Sequence, residues 1–169
     1  MTLETDPKRI EVLARIREDA NWAFRSFLKG CDVSIEKLDS IVHDLYETVS
    51  SQIDCQLCAN CCRVVSPSLN TADIKRLATH LGFSVEQFVE AYLEEDEVGE
   101  GHVFKTTPCA FLHENSCSVY PQRPKACRSY PHLHEREFVF RLNQVVSNCS
   151  VCPIVYNVYE RLKQEMKCR

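Results

Sequence analysis

Glycine is scarce in this chain. Only four occur, at positions 30, 82, 99 and 101. None lies in a phosphate-cradling loop or a dinucleotide fingerprint, both of which need glycines at close spacing. Basic residues do not exceed acidic ones: 20 Lys and Arg stand against 24 Asp and Glu, for a net charge of −4. A broad nucleic-acid-binding face would need clustered Lys and Arg, so none is expected. Long apolar runs are also missing. No stretch approaches the roughly 18 uncharged residues of a membrane span. The start, Met1-Thr2-Leu3-Glu4-Thr5-Asp6, is acidic and has no apolar run behind it, so no secretory signal is expected. No Ser/His/Asp arrangement is legible, and Glu94–Glu97 have no recognisable catalytic partner. The chain therefore reads as a cytoplasmic protein with no demonstrable catalysis. If it is an enzyme, the expected class is oxidoreductase.

Cysteine, by contrast, is abundant: 11 of 169 residues. That is below the roughly 8–10% of a short secreted disulfide scaffold. An odd count also rules out a complete set of intrachain disulfides. In a reducing compartment, clustered cysteines point to metal or catalysis.

The chain has the size of one ordinary domain and can bury a core without cross-links. Asp6 and Pro7 open an expected helix over 6–29, with Ile10, Leu13, Ile16, Ala20, Ala23, Phe24 and Phe27 on one stripe. A second helix is expected over 35–52, with Leu38, Ile41, Val42, Leu45 and Val49 inward. Trp22 and Tyr46 are expected to seal this helical hairpin. Short helices follow at about 71–80 and 85–93, the latter opened by the capping box Ser84-Val85-Glu86-Gln87. Glu94, Glu95, Asp96, Glu97 and Glu100 read as a solvated loop. Val103–Lys105, Ala110–Leu112 and Glu137–Val146 read as strands. Pro108, Pro121, Pro124 and Pro131 keep elements short between them. A helix over about 153–167 closes the chain. The expected fold is mainly α, of α+β type: a helical region at 1–54, then a cysteine-cluster domain at 55–169 with short central helices, a small sheet and a C-terminal helix.

The segment Cys55-Gln56-Leu57-Cys58-Ala59-Asn60-Cys61-Cys62 has the pattern C-x2-C-x2-C-C. A C-x2-C turn brings two sulfurs to one side, as a tightly coordinated metal requires. Three such cysteines in series resemble the opening of an iron–sulfur run. Neighbouring side chains diverge, so Cys61 and Cys62 are expected to serve different metals, or one of them to stand behind the ligands. Cys109, Cys117 and Cys127 follow, with Cys109 and Cys117 bracketing a hairpin-like segment. Cys149-Ser150-Val151-Cys152 is a further pair. Taking one cysteine of that pair gives eight thiols, enough for two four-thiolate sites. Arg123, Arg128, Arg63 and Lys125 could offset thiolate charge, and Arg123 and Arg128 are the main candidates to flank the bound cofactor. His113, His132 and His134 could each replace a cysteine. Cys31 and Cys168 read as ordinary thiols.

Together with Pro108-Cys109-Ala110-Phe111-Leu112 and the run Cys117 to Pro131, these cysteines resemble the YkgJ-type cysteine-cluster family, the zinc- or iron-chelating CxxCxxCC domain. The resemblance covers about residues 55–153. It implies metal chelation and no particular reaction. It carries over Cys55, Cys58, Cys61, Cys62, Cys109, Cys117 and Cys127 as ligands, with Arg123, Pro124, Arg128 and Pro131 as framework. Many members have glycine after the second cysteine, where this chain has Ala59-Asn60. Asn60 is expected to supply the left-handed turn instead. The family's last cysteine precedes a proline, which favours Cys152 over Cys149. The spacing leans towards an iron–sulfur cluster over Zn2+, and towards electron transfer. A small redox or protein-modifying enzyme and a structural-zinc adaptor, whose helices hold a protein partner, are the other readings.

Overall fold

The computed structural model describes residues 2–97 and 101–167. Gly99, Glu100 and Cys168 lie outside the described residues. In chain order the elements are α1 (Pro7–Ile16), α2 (Glu18–Gly30), α3 (Ile35–Ser50), α4 (Cys55–Cys58), α5 (Asn60–Val64), β1 (Ser68–Leu69), α6 (Thr71–Leu81), α7 (Val85–Tyr92), β2 (Leu93–Glu95), β3 (His102–Phe104), β4 (Leu112–His113), β5 (Ser116–Cys117), α8 (Lys125–Ser129), α9 (Leu142–Asn148) and α10 (Pro153–Lys167). Single 3-10 turns cover Tyr120–Gln122 and Phe138–Arg141. The fold is mainly helical with small antiparallel sheets. Among the described residues no single helix is long and apolar enough to cross a membrane.

The chain divides into two compact units. One runs through Cys58 and resumes at Pro131; the other is Ala59–Tyr130. These bounds differ from a split at 54/55, because the segment after Pro131 packs with the N-terminal helices.

In the first unit α10 is the central element. Ile154, Val155, Tyr156, Val158, Tyr159, Leu162 and Met166 are all buried, and α1, α3 and α9 each pack on it. Fully burying each such side chain contributes about 1.5–3 kcal/mol. Asp6 caps α1 by accepting from the Lys8 N–H at 2.9 Å. The single helix expected over 6–29 is broken at Arg17, whose backbone leaves helical values (φ −102, ψ 13). Its guanidinium is drawn to Glu160 at 2.7 Å. The break rotates the expected stripe, so Ile16 and Phe27 stay exposed while Ile10, Ala14 and Leu28 are buried. The expected hairpin seal is also different. α3 lies chiefly on α10, Trp22 is partly exposed, and the Tyr46 ring meets His134 at 5.9 Å.

The strand expected at Glu137–Val146 is helical instead, a 3-10 turn followed by α9. The alternation was incidental: Phe140 is 71% exposed, whereas Phe138, Leu142, Val145 and Val146 are buried at helical spacing. Buried Asp39 starts the turn by accepting from the Glu137 and Phe138 N–H groups at 2.7 and 2.9 Å.

The second unit has its own core of Leu69, Ile74, Leu77, Ala78, Phe88, Leu93, Phe104, Phe111 and Val119. α6 is capped by Asn70 and stopped by left-handed Gly82. α7 opens on the Ser84/Gln87 capping box. The strand order is β1-β3-β2, antiparallel throughout. Glu94 and Glu95 therefore lie in a strand, not in the expected loop. Leu93 is pinned opposite Phe104, and the two glutamates pair with Val103 and His102. The strand expected at Ala110–Leu112 begins only at Leu112, which pairs with Cys117. Ala110 and Phe111 form the turn before it. Phe111 inserts among Tyr92 (5.0 Å between centroids) and Phe104 (5.6 Å, edge-on). This anchors the Cys109–Cys117 hairpin to the core.

Candidate metal centre

In the Ala59–Tyr130 unit, α5 carries Cys61 and Cys62. Ala59 just before it adopts the left-handed conformation (φ 48, ψ 15). The turn thus falls on the residue after the second cysteine and not on Asn60, which begins the helix. The Cys62 carbonyl accepts from the Cys109 N–H at 2.9 Å, which ties α5 to the hairpin. The N–H groups of Phe111 and Leu112 are directed at the Cys109 sulfur. The Val119 N–H is directed at that of Cys117. Such donors stabilise a thiolate, because they supply positive charge without needing a mobile side chain.

Cys127 enters from α8, whose first residue is held by α6. Asp73 accepts from the Lys125 N–H at 3.1 Å and from Arg76 at 2.6 Å. Arg76 in turn donates to the carbonyls of Gln122 and Arg123.

Cys62, Cys109, Cys117 and Cys127 lie within electrostatic reach of one another. Cys61 and Cys62 do not diverge as expected; their side chains are hydrogen-bonded. That bond is the main reason the Cys62 thiol is lowered to about 6. Burial opposes the shift, while Arg63 and Arg123 add to it. Burial, followed by the other sulfurs' charge, pushes Cys127 up to about 12. Burial likewise raises Cys109 and Cys117. Burial thus opposes the thiolate at Cys109, Cys117 and Cys127, while Cys61, Arg63 and Arg123 favour it at Cys62.

Arg123 is the cation built into the group. Its Cζ lies 3.7 Å from the Tyr120 ring centroid. It favours the thiolates of Cys62, Cys117 and Cys127. Its Nε is buried with no hydrogen-bond partner, and an unsatisfied charged donor fits a place that gathers negative charge. Arg128 is exposed and acts one step back, donating to the Arg123 carbonyl at 2.8 Å. Arg63 donates to the Glu114 carbonyl and to Asn115. Lys125 is exposed.

The other unit holds a second group. α4 presents Cys55 and Cys58, and both lie within electrostatic reach of Cys152 at the start of α10. The Ile154 and Val155 N–H groups are directed at the Cys152 sulfur, while burial pushes its thiol up to about 12. Cys149, which is 1% exposed, faces Lys163 and Glu160 as well as Cys152. Tyr46 is half-buried beside Cys55 and Cys152; desolvation first, then their charges, raises its phenol. Cys31 stands apart, its thiol directed at the Leu28 carbonyl. His113 is exposed on β4, His132 pairs with Glu135 at 3.0 Å, and His134 meets Tyr46.

Among the described residues no group of three or more His, Cys, Asp or Glu is closed tightly enough to hold an ion as it stands. Within each unit the structure draws a set of thiols into electrostatic reach. The donor chemistry fits a soft metal: clustered sulfurs, N–H donors aimed at three of them, and an arginine whose Nε is buried. Sequence reading missed the N–H donors, the Asp73–Arg76 brace and Tyr46. No motif announces a backbone amide or a brace fifty residues away, but Tyr46 stands one turn before the end of the helix leading into the cysteine run.

A family model named CxxCxxCC, described as a putative zinc- or iron-chelating domain, matches residues 54–153. No curated protein and no solved structure matches the chain.

Proposed function

Because this chain belongs to the CxxCxxCC family of zinc- or iron-chelating domains, we propose that it carries two separate thiolate-bound metal centres, one in each unit. The first uses Cys62, Cys109, Cys117 and Cys127, with Cys61 hydrogen-bonded behind Cys62 and Arg123 offsetting the charge. The second uses Cys55, Cys58 and Cys152. The observation that carries the reading is the mutual grouping of the four sulfurs in the Ala59–Tyr130 unit. Four thiolates suit tetrahedral zinc or an iron–sulfur cluster alike. N–H donors and a nearby arginine charge are features that tune the potential of a cluster. On that ground we favour iron–sulfur chemistry and an electron-transfer role.

Anaerobic purification with metal and sulfide analysis tests this. Iron and sulfide with a broad band near roughly 400 nm, a rough expectation for cysteine-ligated clusters, are expected. Cys127→Ser should remove one centre and leave the other. Stoichiometric zinc in a colourless protein would end the electron-transfer reading. It would favour the adaptor, for which the exposed Val12, Ile16, Trp22 and Phe27 on α1 and α2 speak.

A further inference from the structure

Charge is segregated within the Ala59–Tyr130 unit. Its sequence holds seven Lys and Arg against nine Asp and Glu. Five of those cations, Lys75, Arg76, Arg123, Lys125 and Arg128, fall on α6 and on the stretch from Tyr120 through α8. Only one of the nine carboxylates falls there. It is Asp73, which is 2% exposed and already accepts from Arg76 and from the Lys125 N–H. Among the described residues the one ion pair on these segments is Arg76–Asp73, at 2.6 Å.

Hydrogen bonds stitch the segments together. Asp73 joins the start of α6 to the start of α8. Arg76 donates to the carbonyls of Gln122 and Arg123 at 3.3 and 3.1 Å. Where α6 meets the Tyr120–Gln122 turn, a shallow cleft of about 440 Å³ is lined by Lys75, Arg76, Thr79, His80 and Gln122. Lys75 and His80 are exposed, as are Lys125 and Arg128 on the adjoining α8. The cleft wall carries a second mark. The Gln122 Oε1 is buried with no hydrogen-bond partner. An acceptor left unpaired costs free energy, and turning this one towards the cleft breaks no hydrogen bond of its own.

We propose that the face formed by α6, the Tyr120–Gln122 turn and α8 docks an acidic polypeptide segment, with its carboxylates on Lys75, Arg76 and Lys125 and one of its backbone N–H groups on the Gln122 carboxamide. The two marks together select this occupant over a nucleic acid. A phosphodiester backbone offers acceptors only, whereas a polypeptide offers carboxylates and N–H donors side by side. Complementary charge of this kind steers association and fixes the register of the bound segment. Cys127 stands between Lys125 and Arg128 on α8, so the docked segment meets the helix that bears this sulfur. The docking does not depend on which metal the sulfurs hold.

The test uses the full chain as purified and a fluorescein-labelled peptide of alternating Glu and Gly, with anisotropy as the readout. Saturable binding that weakens as salt rises is expected. Lys75→Glu combined with Lys125→Glu should weaken it about three- to thirtyfold, the worth of two surface charge pairs. Lys8→Glu combined with Lys37→Glu makes the same change in net charge at exposed lysines of the other unit, and should leave binding unchanged. Gln122→Leu should weaken it about two- to tenfold, the worth of one hydrogen bond. Equal losses in the two double variants would overturn the docking face, because attraction would then follow net charge alone. So would a peptide that does not bind. Tighter binding of a single-stranded oligonucleotide of equal charge, or a Gln122→Leu variant with full affinity, would overturn the choice of a polypeptide as occupant.

Discussion

The guanidinium of Arg123 lies flat enough on Tyr120 for its Cζ to sit 3.7 Å from the ring centroid. The stack, and the two arginines that hold the Arg123 carbonyl, fix a positive charge beside the thiols. Replacing it by Arg123→Gln should raise the Cys62 thiol from its value of about 6, because a cation favours the thiolate. Peptide mapping of alkylation from pH 5 to 9 in the metal-free protein should show the Cys62 midpoint moving up. An unmoved midpoint would contradict the assignment.

The same shift has a consequence for stability. The folded Cys62 thiol titrates below its ordinary value of 9.0, so its contribution is full above about pH 9 and is lost as pH falls towards 6. Cys127 and Cys152 are pushed up to about 12. They stay protonated in both states below 9 and act only above it, where they oppose folding. Urea unfolding of the metal-free protein should therefore show a Cys62 contribution that grows between pH 6 and 9, and Arg123→Gln should flatten that slope.

Asp39 is 7% exposed and accepts two backbone N–H groups at the start of the Phe138–Arg141 turn. Asp39→Ala leaves both donors unpaired and should cost about 3 kcal/mol. Asp39→Asn keeps an acceptor and should cost less. Urea denaturation measures both, and a loss near zero for the alanine variant would show that water replaces the carboxylate.

Ala59 holds a left-handed backbone with a Cβ, at a cost of about 1–2 kcal/mol. Ala59→Gly relieves it but adds unfolded-state entropy of about 0.4–1 kcal/mol. A net gain of roughly 0.5–1 kcal/mol is expected from these two terms. Thermal unfolding should rise accordingly, and a lowered midpoint would mean that the methyl group's burial outweighs the strain.

Stripping metal should loosen the Cys109–Cys127 segment most, since it has little regular structure and hangs on Phe111 and the thiols. Hydrogen exchange should accelerate there, while α3 and α10, packed through ordinary apolar contacts, keep their protection. Uniform exchange with and without metal would count against a metal-organised hairpin.

Much of this was legible in the chain. Caps at Asp6 and Ser84 marked helices, because their side chains satisfy backbone donors locally. The cysteine spacing marked the segments that bring the sulfurs near one another. What failed had non-local causes. The break at Arg17 follows a pull from Glu160, far away in sequence. α9 was hidden because Phe138 and Phe140 imitate a strand until Asp39 caps their turn. The partition of the cysteines could not be read from spacing at all. Cys58 and Cys61 look like neighbours in one motif, yet the chain changes unit between them.

That change of unit also orders events in time. The Ala59–Tyr130 unit is one unbroken stretch, whereas the other is completed only from Pro131 onward. Chains emerge from the ribosome N-terminus first and fold as units. The set ending at Cys127 is whole while Cys152 is still unmade, and Cys55 and Cys58 wait as a pair for their third sulfur. On the two-centre reading, a metal met during translation would find the first set finished and the second half-built, so the order of synthesis would favour filling the first.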